Sequence, residues 1–195
     1  MSSNVMNTFT VGYFIGSLST TSINLLLSRA LARLAPPELK MVEIAFRELP
    51  LYSPDLEANY PPVAQALKDA IKAADAVLFI TPEYNRSIPG GLKNAIDWAS
   101  RPYGKNSFAR KPSAVIGASP GALGTAIAQQ HLRSLLGYCN SPQMNAPEAY
   151  IQVTPGLITD EGLVTNPATE QFLRGFITEF DGFIRRVYTV LPRNT

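Results

Sequence analysis

The sequence is poor in the residues that staple, ligate or anchor a protein. Among 195 residues there is one cysteine and one histidine. Cys139 alone cannot form an internal disulfide, which fits a reducing compartment, and no charged neighbour in sequence suggests an activated thiol. His131 stands at helical spacing from Ile127 and reads as a packed or surface histidine, and no cluster of potential metal ligands accompanies it. Ser119 precedes Pro120 and lies in no G-x-S-x-G elbow, so Ser119 and His131 do not make a hydrolase. Both G-x-x-x-x-G-K-[ST] and G-x-G-x-x-G are missing, which excludes the P-loop and the dinucleotide fingerprint. No apolar run approaches the ~20 residues of a membrane span. The N-terminus has no basic n-region and its first apolar run is broken by Gly12 and Gly16, so it does not read as a signal peptide. Charge is also sparse: 17 basic against 15 acidic residues, net +2, with no basic run. That balance gives no footprint for nucleic acid. The chain reads as soluble and cytoplasmic, with neither membrane nor nucleic acid as partner.

What is present is a regular alternation. Hydrophobic residues make up 46% of the chain, ordinary for a globular protein, and the length suits one domain over 1–195. Residues 1–8 are polar and are expected to be frayed. Phe9–Ile15 is an almost wholly apolar strand, followed by a helix with Ile23, Leu26, Leu27, Ala30, Leu31 and Leu34 at helical spacing until Pro36-Pro37 stops it. Met41 to Phe46 is expected as the second strand. Pro61-Pro62 starts a helix with Val63, Ala66, Leu67, Ala70, Ile71 and Ala74 as its apolar face. Ala76–Ile80 is the third strand, Ser113 to Ala118 the fourth, and Met144 to Val153 contains the fifth. Helices follow at about Leu92 to Ser100, Thr125 to Leu136 and Pro167 to Val190. Five strand–helix alternations imply an α/β three-layer sandwich, a parallel sheet with helices on both faces. Five strands favour the flavodoxin-like order 2-1-3-4-5, whose ligand site lies outside the carboxyl ends of the first and third strands.

Polar loops follow those strands. Gly16-Ser17-Leu18-Ser19-Thr20-Thr21-Ser22 joins the first strand to the first helix. Free backbone N–H groups and the helix dipole make such a turn an anion site, and the hydroxyls add neutral donors. Ser22 taken alone is as readily a plain N-cap. A monophosphate suits this loop better than a nucleoside triphosphate. After the third strand comes the stretch around which the chain is organised, Thr81-Pro-Glu-Tyr-Asn-Arg-Ser-Ile-Pro-Gly-Gly-Leu-Lys-Asn-Ala-Ile-Asp-Trp98, in which a buried strand, a polar loop and a helix N-terminus meet. Ser119-Pro120-Gly121-Ala122-Leu123-Gly124 is the third glycine-containing loop.

The run TPEYN followed by SIPGGLKNAIDW resembles the second flavin-contacting loop of the NAD(P)H-dependent FMN reductase family, which includes quinone, chromate and azo reductases. The first loop resembles that family's G-S-L-R-x-x-S-x-N, and the likeness extends from about Phe9 to Val190. It implies FMN as cofactor, NADPH or NADH as co-substrate and a small-molecule electron acceptor. The flavin-binding set it implies is Ser17, Ser19, Ser22, Ile23 and Asn24 in the first loop, Pro82, Glu83, Tyr84, Asn85, Ile88 and Gly90 in the second, and Ser119, Gly121 and Gly124 in the third. Phosphate contacts carry over onto Ser17, Ser22 and Asn24. Ser19 departs from the pattern, standing where the family commonly has Arg, so the site loses a cation and a bidentate donor.

No side chain is required as a catalytic residue, because hydride chemistry belongs to the flavin and the protein supplies placement and access. Gly90, Gly121 and Gly124 have the form needed where a backbone approaches a ring. Glu83 is either a general base or, as hydride transfer needs none, a structural group. Tyr84 either packs on the ring or caps the loop. Arg86 is either a solvated cation or a replacement for the charge missing at Ser19. Lys93 and Asp97 read as an i,i+4 ion pair. The family's assembly implies a homodimer or homotetramer built on the helices after the third and fourth strands. Trp98 and Leu132 are then interface anchors or else core residues, and Arg101 and Glu148 subunit contacts. Two other readings stay open, a non-enzymatic flavoprotein electron carrier and a cofactor-free binding module. The sequence pI near 8.7 tells against the carrier, since flavodoxins that carry electrons are strongly acidic.

Overall fold

The structure, a computed structural model, describes residues 8–193. All but Thr8 of the terminus expected to fray therefore lies outside the described residues. Five strands, β1 (Phe9–Ile15), β2 (Leu39–Glu43), β3 (Ala76–Ile80), β4 (Ser113–Ser119) and β5 (Tyr150–Gln152), pair in parallel in the order β2-β1-β3-β4-β5. The helices are α1 (Ile23–Leu34), α2 (Pro62–Ala73), α3 (Gly90–Ser100), α4 (Ala126–Tyr138) and α5 (Pro167–Val190). A 3-10 turn sits at Pro54–Leu56. This is the doubly wound architecture with its switch point between β1 and β3.

Strand periodicity divides the core. In β3, Ala76, Leu78 and Ile80 face the layer made by α1 and α5, while Val77 and Phe79 face the layer made by α2, α3 and α4. β4 alternates likewise, with Ala114, Ile116 and Ala118 on the first side and Val115 on the second. Successive side chains in a strand point to opposite faces, so a strand covered on both sides reads as a continuous apolar run. Each large aliphatic or aromatic side chain so buried contributes about 1.5–3 kcal/mol. The register aligns Ile15 with Ile80 and Ile80 with Ile116. The loops after β1 and β3 therefore start level with one another, while β4 runs on to Ser119, and all three loops leave the same end of the sheet.

Several elements depart from the sequence reading. β2 begins and ends earlier than Met41–Phe46, because Ile44 and Phe46 leave the sheet edge and fold into the α2–α3–α4 layer, with the Phe46 ring 5.9 Å from Phe14. In α2 the buried line is Ala64, Leu67 and Ile71, whereas Ala66 and Ala70 are exposed. Alanines around the helix blur its apolar face, and docking on the sheet selected the i, i+3, i+7 line. β5 is short. The chain touches β4 first at Gln143 and again at Tyr150–Gln152, and leaves it between them around Pro147, which has no N–H to offer a ladder.

Trp98 and Leu132 are core residues, not interface anchors. Both are fully buried within the one chain. The Trp98 indole N–H donates to the Pro50 carbonyl at 2.7 Å, and Tyr52 and Tyr60 meet its ring edge-on at 5.2 and 5.1 Å. The irregular segment 49–60 is thus a clasp over α3, locked further by Arg101, whose Nε donates to Glu57 Oε1 at 2.7 Å.

Candidate active site

The site is built from three loops at the carboxyl ends of β1, β3 and β4. In the first, short hydroxyl side chains fold the backbone onto itself. Ser17 Oγ accepts from the Ser19 N–H at 3.2 Å, and Ser19 Oγ accepts from the Thr21 N–H at 3.3 Å. Ser22 caps α1, its Oγ accepting from the Asn24 N–H at 3.2 Å. Among the described residues the N–H groups of Ser17, Leu18, Thr20 and Ser22 meet no protein acceptor. Unpaired amides gathered at a helix N-terminus form a cradle for an anion.

The second loop is pinned twice to α4. Glu83 Oε2 accepts from the N–H groups of Ile127 and Ala128, both at 3.0 Å, and so caps the first turn of that helix. A carboxylate there meets the positive end of the helix dipole. Four residues on, Ser87 Oγ lies 3.1 Å from His131 Nδ1. Between these pins Tyr84 and Ser87 exchange both backbone hydrogen bonds, at 2.9 and 3.0 Å, with Asn85 and Arg86 both at positive φ (51° and 63°). Consecutive left-handed residues mark a type I′ turn. It holds the half-exposed Tyr84 ring over the first loop, where its hydroxyl meets Ser17 Oγ at 3.1 Å.

These positions sort the expected site residues. Ser17, Ser19 and Ser22 belong to the cradle, Tyr84 reaches it through Ser17, and Asn85 lies in the turn of the second loop. A side chain at Gly90 would meet nothing within 4 Å, so the start of α3 is open. Glu83 is structural, as an α4 cap. Arg86 extends its guanidinium to within 3.5 Å of Glu83 and is two-thirds exposed. Pro82 and Ile88 are buried, and the Ile88 side chain belongs to the core layer of α2, α3 and α4. Ile23 turns away from the cradle into an apolar groove of about 280 Å³ with Leu26, Pro120 and Val153.

One expectation needs correction, and a second residue acquires a packing role. The Asn24 side chain is wholly buried and spent on β4: its Oδ1 accepts from the Ala118 N–H and its Nδ2 donates to the Ala118 carbonyl, each at 2.9 Å. It is a strut between α1 and β4, not a side-chain donor to a phosphate. Gly124, at φ 56°, passes so close to β5 that a Cβ would lie 2.9 Å from the Tyr150 carbonyl carbon. Packing against β5 by itself demands that glycine. Ser119 accepts from the Gly121 N–H at 3.1 Å and shapes the third loop, leaving Gly121 exposed.

Sequence reasoning missed Arg47. It follows β2 and its Nη2 donates to the Leu18 carbonyl, which sets a guanidinium against the cradle. The two loops enclose a cavity of about 350 Å³ lined by Ser17, Ser19, Thr20, Phe46 and Arg47. The strand order holds the clue, since β2 adjoins β1. Lys93 and Asp97 form the expected ion pair at 2.7 Å. Burial pushes the Cys139 thiol up, which leaves it unreactive. Among the described residues no group of three or more His, Cys, Asp or Glu could hold a metal, and no helix is long and apolar enough to cross a membrane.

A flavodoxin-like sheet with an amide cradle at its switch point defines a class of mononucleotide-binding proteins, and comparison narrows it. Residues 9–155 match the family model for NADPH-dependent FMN reductase, and the chain belongs to that family. It is 44% identical over 175 residues to a 2-hydroxy-1,4-benzoquinone reductase of a Burkholderia species, covering 90% of this chain and 96% of that protein. It is 43% identical over 178 residues to a quinone reductase of Pseudomonas putida, covering 91% and 95%. In structure it resembles FerB, a flavoenzyme NAD(P)H:(acceptor) oxidoreductase from Paracoccus denitrificans, with a TM-score of 0.88, 46% identity and 92% and 98% of the two chains covered.

Proposed function

We propose that this NAD(P)H-dependent FMN reductase works as a quinone reductase, with FMN held by the three loops and the acceptor admitted to the same open cleft. The observation that carries the reading is the cradle, four unpaired N–H groups and several hydroxyls at the N-terminus of α1. The residues present fit a phosphate monoester there. Ser17 and Ser22 supply hydroxyls, the loop backbone supplies directed amides, and Arg47 brings positive charge near the position where Ser19 replaces the family's arginine. Tyr84, Asn85 and the open start of α3 at Gly90 border the space for a flat ring. The bound cofactor supplies hydride acceptance from a nicotinamide and return of electrons to an acceptor. The chain contributes the rest: it fixes the second loop through the Glu83 and Ser87 pins, offers backbone donors to developing negative charge, and keeps the cleft open enough for two substrates in turn.

We infer a two-step (ping-pong) cycle in which NADPH or NADH enters and leaves before the acceptor binds, and acceptors that extend beyond quinones to azo compounds, chromate and free flavin. The chain is read as one cytoplasmic domain that assembles into a homodimer or homotetramer. Because Trp98 and Leu132 are internal, such contacts must come from outward-facing groups of α3 and α4 such as Tyr138. The decisive experiment is the absorption spectrum of the purified protein, followed by NADH or NADPH and then a benzoquinone. A yellow protein bleached by NAD(P)H and restored over many turnovers is expected. A colourless protein that takes up no FMN would sink the proposal, and bleaching without turnover would leave an electron carrier.

A further inference from the structure

At the opposite pole, below the amino ends of the strands, lies a larger cavity of about 560 Å³, lined from α2, the segments 74–75 and 105–111, and the end of α5. Six cationic side chains line it against two carboxylates. Three of the cations are already engaged. Lys68 Nζ donates to the carbonyls of Ala99, Arg101 and Lys105 at 3.0, 2.5 and 2.7 Å, Lys111 donates to the Ala74 carbonyl, and Arg193 pairs with Asp75 at 3.3 Å. The carboxylates are engaged too: Asp75 also accepts from the Thr10 N–H at 2.7 Å, and Asp69 accepts from Gln65 at 2.8 Å. Lys72, Lys105 and Arg110 remain, exposed, and their side chains meet no partner among the described residues.

We propose that this cavity binds a compact polyanion, a chain of two or more phosphate groups, at a site separate from the flavin cleft. Charge selects the class. Six cations against two carboxylates leave the field in the cavity positive, and low-dielectric walls concentrate such a field. Lys68 and Lys111 deepen it from below, and burial holds both their pKa values under that of a free lysine. A bound anion relieves that penalty by favouring their charged forms. Size agrees, since the volume lies within the ~300–1,000 Å³ typical of small-molecule sites and exceeds the need of one phosphate. Tyr188 and Pro192 give one wall an apolar surface against which a nucleoside could lie.

The test uses the FMN-loaded protein, so that the flavin cleft is filled, and measures heats of binding of inorganic tripolyphosphate and, separately, of ATP at physiological ionic strength. One saturable site per chain is expected. Replacing Lys72→Glu together with Lys105→Glu should weaken binding at least about tenfold, because each charge within ~4 Å of an anion near a protein surface counts for kcal/mol rather than tenths. Lys40→Glu, on β2 away from the cavity, carries one such charge change and should leave the affinity unaltered. Retention of FMN and of quinone reduction by the double variant shows that it has folded. ATP binding more tightly than tripolyphosphate supports the site and assigns a nucleoside to the Tyr188 wall; equal affinities support it and assign the phosphate chain alone. Absence of saturable binding, or binding that the double variant keeps or Lys40→Glu also loses, overturns the proposal and leaves the flavin reading untouched.

Discussion

The two ends of the sheet meet negative charge by different means. At the carboxyl ends the chain offers mostly neutral groups held in place, unpaired amides, serine hydroxyls and one helix N-terminus, with Arg47 as the one cation placed against them. At the amino ends it offers lysines and an arginine on flexible stems around an open cavity. Directed amides select by geometry and lose little to salt, because the anion they hold sits against them. Mobile surface cations select by charge and are screened over a Debye length of about 8–10 Å. On the proposed reading, Arg47 and a preorganised cradle together replace the arginine that the family commonly has where this chain has Ser19.

The sharpest way to break the comparison is to put charge into the neutral end. Ser22→Asp keeps a good N-cap but sets a carboxylate against a phosphate dianion. The variant should fold normally, purify without flavin and show no NAD(P)H oxidation; circular dichroism and flavin absorbance report both. A folded, yellow, active variant would mean that the phosphate lies elsewhere.

Next in size is the loss of preorganisation. Glu83→Ala leaves the Ile127 and Ala128 amides without their acceptor and frees the second loop from α4. An unmet buried hydrogen-bonding group costs about 1–3 kcal/mol, so the melting temperature should fall by several degrees. FMN affinity should fall with it, although Glu83 touches no phosphate. Unchanged stability would show that the cap is replaced by water at no cost.

Arg47→Ala asks how neutral the cradle is. An exposed cation beside a phosphate contributes roughly 1 kcal/mol, so FMN binding should weaken by up to about tenfold. Ser22→Ala, which removes one neutral hydrogen bond worth ~0.5–1.5 kcal/mol, should have a similar effect. If Arg47→Ala changes nothing, amides and hydroxyls alone hold the phosphate, and the contrast between the poles is sharper still.

The smallest effect belongs to Arg86. It is largely exposed, and its 3.5 Å contact with Glu83 is a surface pair worth ~0–1 kcal/mol. Arg86→Ala should barely move the melting temperature. Any change should fall on the Michaelis constants for NADH and NADPH, and equal constants in both proteins would assign Arg86 to the Glu83 contact alone.

Legibility followed the range of the interactions. The strand order and the bounds of β1, β3 and α5 were readable because they rest on local pattern: apolar runs of strand length and prolines at helix edges. The TPEYN and SIPGGLKNAIDW runs carried the family for the same reason, as contiguous stretches whose turn residues and helix start act on one another directly. Tertiary contact decided what those patterns left open. Glu83 became a cap because α4, more than forty residues on, presents two bare amides to it. Asn24 became a strut because the end of β4 needed both a donor and an acceptor. Trp98 went inside because segment 49–60 closed over it, and Arg47 reached the cradle because β2 lies beside β1. Local spacing determines which elements form and which groups each can offer; only the folded chain determines which of those groups find one another first and which are left for a ligand.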